Sequence, residues 1–509
     1  MPFLAADFGT TTLKVALVDE SGNFLDFLRS EVPILRVEPK AAEHSPEGLV
    51  NLFLELSKKL LKHTNAEIEG IVFSGYLFGL VGIDDTGTPL TGVMTWLDRR
   101  PTETLQEMYS KVQPSWLYRR TGCPSIYVYQ LPKIYWLRKK KPEIYDKVEY
   151  FLDVKGYVIY RLTGRIVFEK SAASGSQLLN LETLTWDEEV VRELDLDSSK
   201  LPELVEPDEI IGELDRKIAS QLGLKNPVPV IPGVFDGGSV SIGEGALGEN
   251  IGSSHLSTST MIRVASETPI LDKSGKMRFQ TYYAFRGTWL PGGALNNAGV
   301  VLKWFRDNLA MLEKLAAEEI GVDPYDALTR EAMMAPAGSD GLIFLPFISG
   351  ERIPEYGNKA SGVLFGLREN HTRNHIIRSF MEGVAFNLKT VKDALEENSL
   401  EIKELRITGG GAKSDLWLQI ISDVLEIPVK KVEAIDAALW GATIIGMKAT
   451  NIINDVRKTS LEKARIAKVF TPIEENVRIY RESYRLFKEL LEHIKPVFSK
   501  LENKNNIII

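Results

Sequence analysis

Two short apolar runs near the start of the chain, Leu4 to Ala6 and Val15 to Val18, flank the segment Asp7-Phe8-Gly9-Thr10-Thr11-Thr12. No other segment constrains the fold as much. The runs predict strands, and the turn between them carries one glycine and three hydroxyls, so the whole reads as a β-hairpin. Gly9 leaves room for an anion to approach the backbone, the threonine hydroxyls and amides can donate to phosphate oxygens, and Asp7 can hold a divalent metal through water. The same hexapeptide would also serve as an ordinary Asx-Gly hairpin, so the rest of the chain must decide.

At 509 residues the chain is too long for one core, and two domains of ~100 to 250 residues each are expected. The 61 Lys and Arg against 69 Asp and Glu leave a net charge of -8, which argues against nucleic acid or an anionic membrane as the main partner. Arg138 to Lys141 reads as a solvated helix end. One cysteine, Cys123, excludes an internal disulfide framework, and no Cys or His spacing suits structural zinc. Met1 to Asp7 has no basic start and reaches an acid early for a signal peptide, and no apolar run of about 20 residues follows. A soluble, cytoplasmic protein is the expectation.

Strands and helices alternate along the chain. Ser45-Pro46-Glu47 supplies an N-cap, an N1 proline and a first-turn acid, and Leu49, Phe53, Leu56 and Leu60 recur at helical spacing. Ile68 to Phe73 predicts a buried strand ending at Ser74-Gly75, and another apolar segment precedes the loop Thr95-Trp96-Leu97-Asp98-Arg99-Arg100-Pro101. Pro227 to Val234 brings a short strand to Phe235-Asp236-Gly237-Gly238. Loops at strand ends are where ligands bind in open α/β sheets. A domain boundary follows, near Gly243 to Ile251, dividing the chain into residues 1–245, residues 246–495 and a tail, 496–509.

Past that boundary, Leu256 to Val264 is a second hydroxyl-rich hairpin candidate, unless it is merely a solvated strand. Two domains that each offer such a loop across a cleft would form the actin-like (ribonuclease H-like) ATPase fold. Leu405 to Thr408 then runs into Gly409-Gly410-Gly411 and a helix capped by Ser414, with Leu416, Ile420, Val424 and Leu425 as its buried stripe. Those glycines would let a flat ring lie on the backbone, or simply permit a tight turn. Gly243 to Gly248 fits G-x-G-x-x-G literally, but it follows a helix pattern and opens none, so it is no dinucleotide fingerprint. A dehydrogenase, which would rest on it, is set aside.

Taken in order, these motifs resemble the FGGY family of carbohydrate kinases over roughly residues 3 to 490. The resemblance also draws on Pro132 to Leu137, Tyr160 to Gly164, Ala298-Gly299 with Trp304, Phe344 to Pro354, and Met381 to Val384. It implies an α/β protein of two actin-like ATPase domains that uses ATP and Mg2+ to phosphorylate a sugar, polyol or sugar acid. It further implies Asp236 as the catalytic residue, accepting the proton of the attacking hydroxyl, and Asp7 as the magnesium residue. Thr10, Thr11, Lys14 and Thr258 match positions around the ATP phosphates. Gly299, Lys303, Gly410, Gly411 and Ser414 match positions around the nucleoside. The second hairpin has Ser257 where the family has glycine.

Tyr76, Phe78, Trp96, Asp98, Arg100, Asp153, Lys155 and Asp236 are the residues expected around the substrate. Xylulokinase-like members carry Gln-Met-His-Gly after the Ser-Gly; here Tyr76-Leu77-Phe78-Gly79 removes two polar readers. Asp236-Gly237, the paired Asn296-Asn297 and Leu152 to Lys155 resemble the gluconokinase branch. Arg100, Lys155 or Arg263 could pair with a substrate carboxylate, or each could be a surface or interdomain charge. A gluconate-like substrate is favoured, with a xylulokinase-like ketose kinase or a glycerol or polyol kinase as alternatives. A filament- or chaperone-like ATPase is the alternative of another class. The partner expected is a small sugar or sugar acid, with neither nucleic acid nor membrane, and assembly as a homodimer stays open.

Overall fold

The computed structural model describes residues 1–64 and 66–505. Its first half is built on a six-stranded sheet. Strands β1 (Phe3–Phe8), β2 (Thr12–Val18) and β3 (Phe24–Glu31) form an antiparallel meander. Helix α1 (Pro46–Thr64) leads into β4 (Ile71–Gly75), helix α2 (Val154–Thr163), and then β5 (Gly212–Glu213) and β6 (Pro229–Ile231). The sheet order is β5-β6-β4-β1-β2-β3, with β4 and β6 parallel to β1. Every residue of β1 is buried, as expected of a central strand covered on both faces. α1 starts where the sequence indicates, with Ser45 Oγ accepting from the Gly48 amide at 3.1 Å.

Helix α3 (Asp236–Gly243) crosses into the second half. There β7 (Ile251–His255), β8 (Thr260–Val264), β9 (Gln280–Phe285) and β10 (Thr288–Leu295) precede the long helix α4 (Arg373–Glu396). β11 (Glu404–Thr408), α5 (Asp415–Leu425), β12 (Val429–Val432), α6 (Ala437–Ala449), β13 (Ile466–Phe470) and α7 (Glu474–Asn505) complete it. The seven-stranded order is β9-β10-β8-β7-β11-β12-β13, with β11 parallel to β7 and β12 parallel to β11. Each half therefore has an antiparallel hairpin whose first strand is flanked on its other side by two parallel strands. The echo between the two hydroxyl-rich hairpins in the sequence is an echo of sheet topology.

The cores do not follow the sequence halves. α6, from the second half, lays Leu439, Trp440, Ala442, Ile444 and Ile445 against Phe3, Ala5 and Val72 of the first sheet. It reaches α3 by backbone contact. A Cβ at Gly243 would fall 1.9 Å from the Ala437 carbonyl oxygen, and one at Gly441 would fall 1.9 Å from that of Ser239. The literal glycine motif at 243 to 248 thus runs from this helix pair into β7, helix before and strand after. The tail expected from Pro496 is helical as far as Asn505, because α7 continues through that proline; residues 506–509 lie outside the described residues. Among the described residues no helix is long and apolar enough to cross a membrane.

Candidate active site

The parallel strands β1, β4 and β6 all end on one side of the first sheet, so the loops that follow them carry Asp7, Tyr76 to Phe78 and Asp236 to one place. A cleft of about 870 Å³ opens there, between these loops and the ends of β7, β11 and β12. Asp7 and Lys14 are direct cross-strand partners in the first hairpin. Asp7 Oδ2 accepts from Lys14 Nζ at 3.2 Å, and Oδ1 accepts from Ser74 Oγ at 2.8 Å. Lys14 also reaches Asp436, 2.8 Å away at the N-cap of α6. Burial works against its charge, yet Asp7 and Asp436 together hold the ammonium well above the ordinary lysine range. Lys14 lines the cleft, as expected of a phosphate residue, while bridging the two halves.

Thr10 joins the hairpin to the opposite wall. Its Oγ1 accepts from Trp96 Nε1 at 2.8 Å, and its carbonyl accepts from His44 Nε2 at 2.9 Å. That leaves His44 Nδ1 to accept from the Tyr76 hydroxyl at 2.9 Å. Thr11 is exposed to the cleft. Across the gap, Ser257, Thr258 and Ser259 line the cleft from the turn between β7 and β8, held by Gly299 N donating to Ser257 O at 2.7 Å. Gly410, with open space above its Cα, lines the cleft beside Thr408 and Lys413.

Several expected nucleotide residues stand back from the cleft. Gly411 is covered by Leu256, Ser414 caps α5 by accepting from the Trp417 amide at 3.3 Å, and Gly299 braces the second hairpin from behind. Lys303 is exposed on the helix Gly299–Leu309 and is not part of the cleft wall. Of the stripe foreseen for α5, Leu416 is only half-buried, whereas Trp417, Leu418 and Ile421 are buried.

Asp236, which lines the same cleft, opens α3, half-buried, with its Oδ1 accepting from the Gly237 amide at 2.6 Å. Burial and then the nearby Asp7 raise its pKa, while Arg263 and Arg352 pull it back. Tyr76, Phe78 and Trp96 form the wall. Phe78 has φ 75°, and Lys133 holds that strained turn by donating to the carbonyls of Phe78 and Met94. Arg352 stacks over Trp96 at 4.9 Å, with its Nε donating to Asn296 Oδ1 at 2.8 Å.

Four of the expected substrate residues are engaged elsewhere. Arg100 is enclosed by carboxylates: Asp98 Oδ2 lies 2.6 Å from Nη2 and Glu38 Oε1 2.7 Å from Nη1, Glu43 also accepts, and Trp136 stacks on the guanidinium. Asp98 in turn accepts from the Ala42 and Arg100 amides, so the pair folds the Thr95 to Arg100 loop from within and leaves the cleft to Trp96. Asp153 caps α2 through the Gly156 amide at 2.7 Å. Lys155 donates to Glu169 at 2.7 Å, both side chains 1% exposed, and to the Gly233 carbonyl at 3.2 Å. Neither Asp153 nor Lys155 reaches the cleft. His44, Lys133 and Arg352 were not singled out from the sequence. For His44 nothing in the local pattern marks the role, and Lys133 and Arg352 were seen only as parts of the Pro132 to Leu137 and Phe344 to Pro354 motifs.

His44 brings a pH dependence. Burial lowers its pKa from 6.5 to about 4. The unfolded chain therefore binds a proton that the folded one refuses, and stability falls as pH drops from 6.5 towards 4. The expected loss is about 3 kcal/mol. Denaturant titrations at pH 7 and pH 4.5 should show His44→Gln losing less stability than the parent chain over that interval.

Comparison with known proteins gives the same architecture a family. The N-terminal domain model of the FGGY family of carbohydrate kinases matches residues 3–243, and the C-terminal domain model matches residues 253–450. The chain is 32% identical over 500 residues to a gluconokinase of Bacillus subtilis (strain 168), covering 98% of this chain and 97% of that protein. It superposes on the crystal structure of a gluconate kinase from Lactobacillus acidophilus with a TM-score of 0.92 and 28% identity, covering 98% of this chain and 99% of the other. The ligand-bound xylulose kinase of the same organism gives a TM-score of 0.92 at 27% identity and the same coverage. Two family models matched in sequence order, on either side of a cleft that both halves build, establish that this chain belongs to the FGGY family of carbohydrate kinases.

Proposed function

We propose that the protein transfers the terminal phosphoryl group of ATP to a hydroxyl of a sugar acid of the gluconate class. The observation that carries this reading is the convergence on one cleft of Asp236, the two hydroxyl-rich hairpins and an aromatic wall flanked by guanidinium groups. Relatives named gluconokinase support the sugar-acid end of the family.

In this reading Tyr76, Phe78 and Trp96 confine the carbohydrate against Asp236. As the substrate oxygen bonds to phosphorus and the bond from phosphorus to the ADP oxygen breaks, the hydroxyl proton passes to the Asp236 carboxylate. Thr10, Thr11 and Thr258 donate to phosphate oxygens, and the bare Gly410 backbone faces the nucleoside. Asp7, which lines the cleft at the end of β1 with Ser74 on Oδ1 and Lys14 on Oδ2, would hold magnesium as a hard oxygen donor, directly or through water, and this metal takes one or two carboxylates with phosphate and water as its other ligands. When bound, the ion supplies charge neutralisation at the phosphates. A cytoplasmic setting belongs to the same reading, in keeping with a single buried cysteine, Cys123.

A panel of aldonates, ketoses, polyols and glycerol assayed with MgATP tests it. The expected outcome is a kcat/KM for D-gluconate at least about tenfold above that for D-xylulose or glycerol, a difference that one well-placed charged contact supplies. A preference for a neutral sugar, or ATP turnover independent of any acceptor, overturns it.

A further inference from the structure

Arg263 is a cation in this cleft whose charge no carboxylate pairs. It lies on β8 and is 5% exposed, and its Nε and Nη1 are buried with no hydrogen-bond partner. Among the described residues it forms no ion pair, whereas Lys14, Arg100 and Lys155 are each held by carboxylates. Its guanidinium stands over the Phe235 ring at 5.5 Å and lines the cleft together with Asp236. A guanidinium cannot shed its proton, and a buried unpaired charge is costly. Asp236 and Glu244 offset the charge from a distance, but no carboxylate meets the guanidinium directly.

Gly237 explains how the group fits. A Cβ there would fall 2.2 Å from Arg263 Nη1 and 2.7 Å from the guanidinium carbon, so a side chain at 237 would force the guanidinium to shift. Arg352, the second guanidinium in the cleft, is already committed to Asn296 and Trp96.

Resting on the sugar-acid reading, we propose that Arg263 binds the substrate carboxylate and sets the preference for sugar acids over neutral sugars, with Gly237 keeping its place open. Planar guanidinium and carboxylate meet through two parallel hydrogen bonds. Nε and Nη1 lie on different edges of the guanidinium plane, each edge completed by Nη2, so a carboxylate paired along either edge takes one of the unpartnered nitrogens together with Nη2. A neutral polyol would leave them unpaired, and buried donors without partners are what gives such sites their discrimination.

The test compares D-gluconate with D-glucitol, a neutral chain of the same length, as kcat/KM and independently as calorimetric Kd. In Arg263→Gln the gluconate-to-glucitol ratio should fall about 100-fold, largely through the KM for gluconate. Arg263→Lys, which keeps a point charge, should recover part of it. Gly237→Asn should shift the ratio in the same direction as Arg263→Gln by displacing the guanidinium, and it carries the test should Arg263→Gln not fold. If both substrates weaken in step, Arg263 only tunes Asp236 or supports the fold, and the assignment is overturned while the sugar-acid reading stands. If the unmodified enzyme itself favours glucitol or xylulose, both fall.

Discussion

Asp236→Ala is expected to lower kcat about a thousand-fold while ATP continues to bind, because the role proposed for the residue is confined to the reacting hydroxyl and general-base catalysis contributes on that order. The carboxylate opens α3 and lines the cleft, with Asp7 and Arg263 as neighbouring charges. Burial and Asp7 raise its pKa while Arg263 lowers it, so proton acceptance and substrate charge are coupled at this point. Removing the carboxylate also removes the negative charge nearest Arg263. Gluconate should then bind more tightly even as turnover collapses. ADP release followed in a coupled assay, with ATP and gluconate affinities from calorimetry, checks both statements. Phosphotransfer within tenfold of the parent enzyme would refute the role of Asp236.

The second large effect is on stability. Lys155→Met should destabilise the first half of the molecule by about 3–5 kcal/mol, the usual cost of breaking a buried ion pair by removing one partner. The pair is deeply enclosed. Glu169 also accepts from the amides of Ser171 and Ala172, so its carboxylate cannot leave when the lysine is gone. Adding Glu169→Gln to Lys155→Met should return part of the loss by removing the stranded charge. Urea unfolding monitored for each variant decides the matter. A change below about 1 kcal/mol, accompanied by a raised KM for gluconate, would mean that Lys155 meets the substrate and is not structural.

How much could be read from residues alone varies from group to group, for a physical reason. The first hairpin, α1, the strand before Asp236 and the cap at Ser414 were legible because each depends on local periodicity, caps and turns. Asp98, Arg100, Asp153 and Lys155 were drawn to the substrate by their place in matched segments. Each instead ends in a buried ion pair or a helix cap, and the partners, Glu38 and Glu43 for Arg100 and Glu169 for Lys155, are set by tertiary packing. Of the three cations considered for a substrate carboxylate, the sequence offered no way to rank them. The structure ranks them by which carboxylates lie within reach.

The amino-acid sequence by itself determined the first hairpin and, through motifs strung in a set order, the resemblance to the family, which in turn implied the role of Asp236; it left the second hairpin open against a solvated strand. Only the tertiary structure decided that α6 returns to cover the first sheet, that His44 and Trp96 converge on Thr10, and that Arg263 alone among those three cations reaches the cleft unpaired. Charges buried by folding find their partners through contacts between residues far apart along the chain, and no local pattern records which contacts those will be.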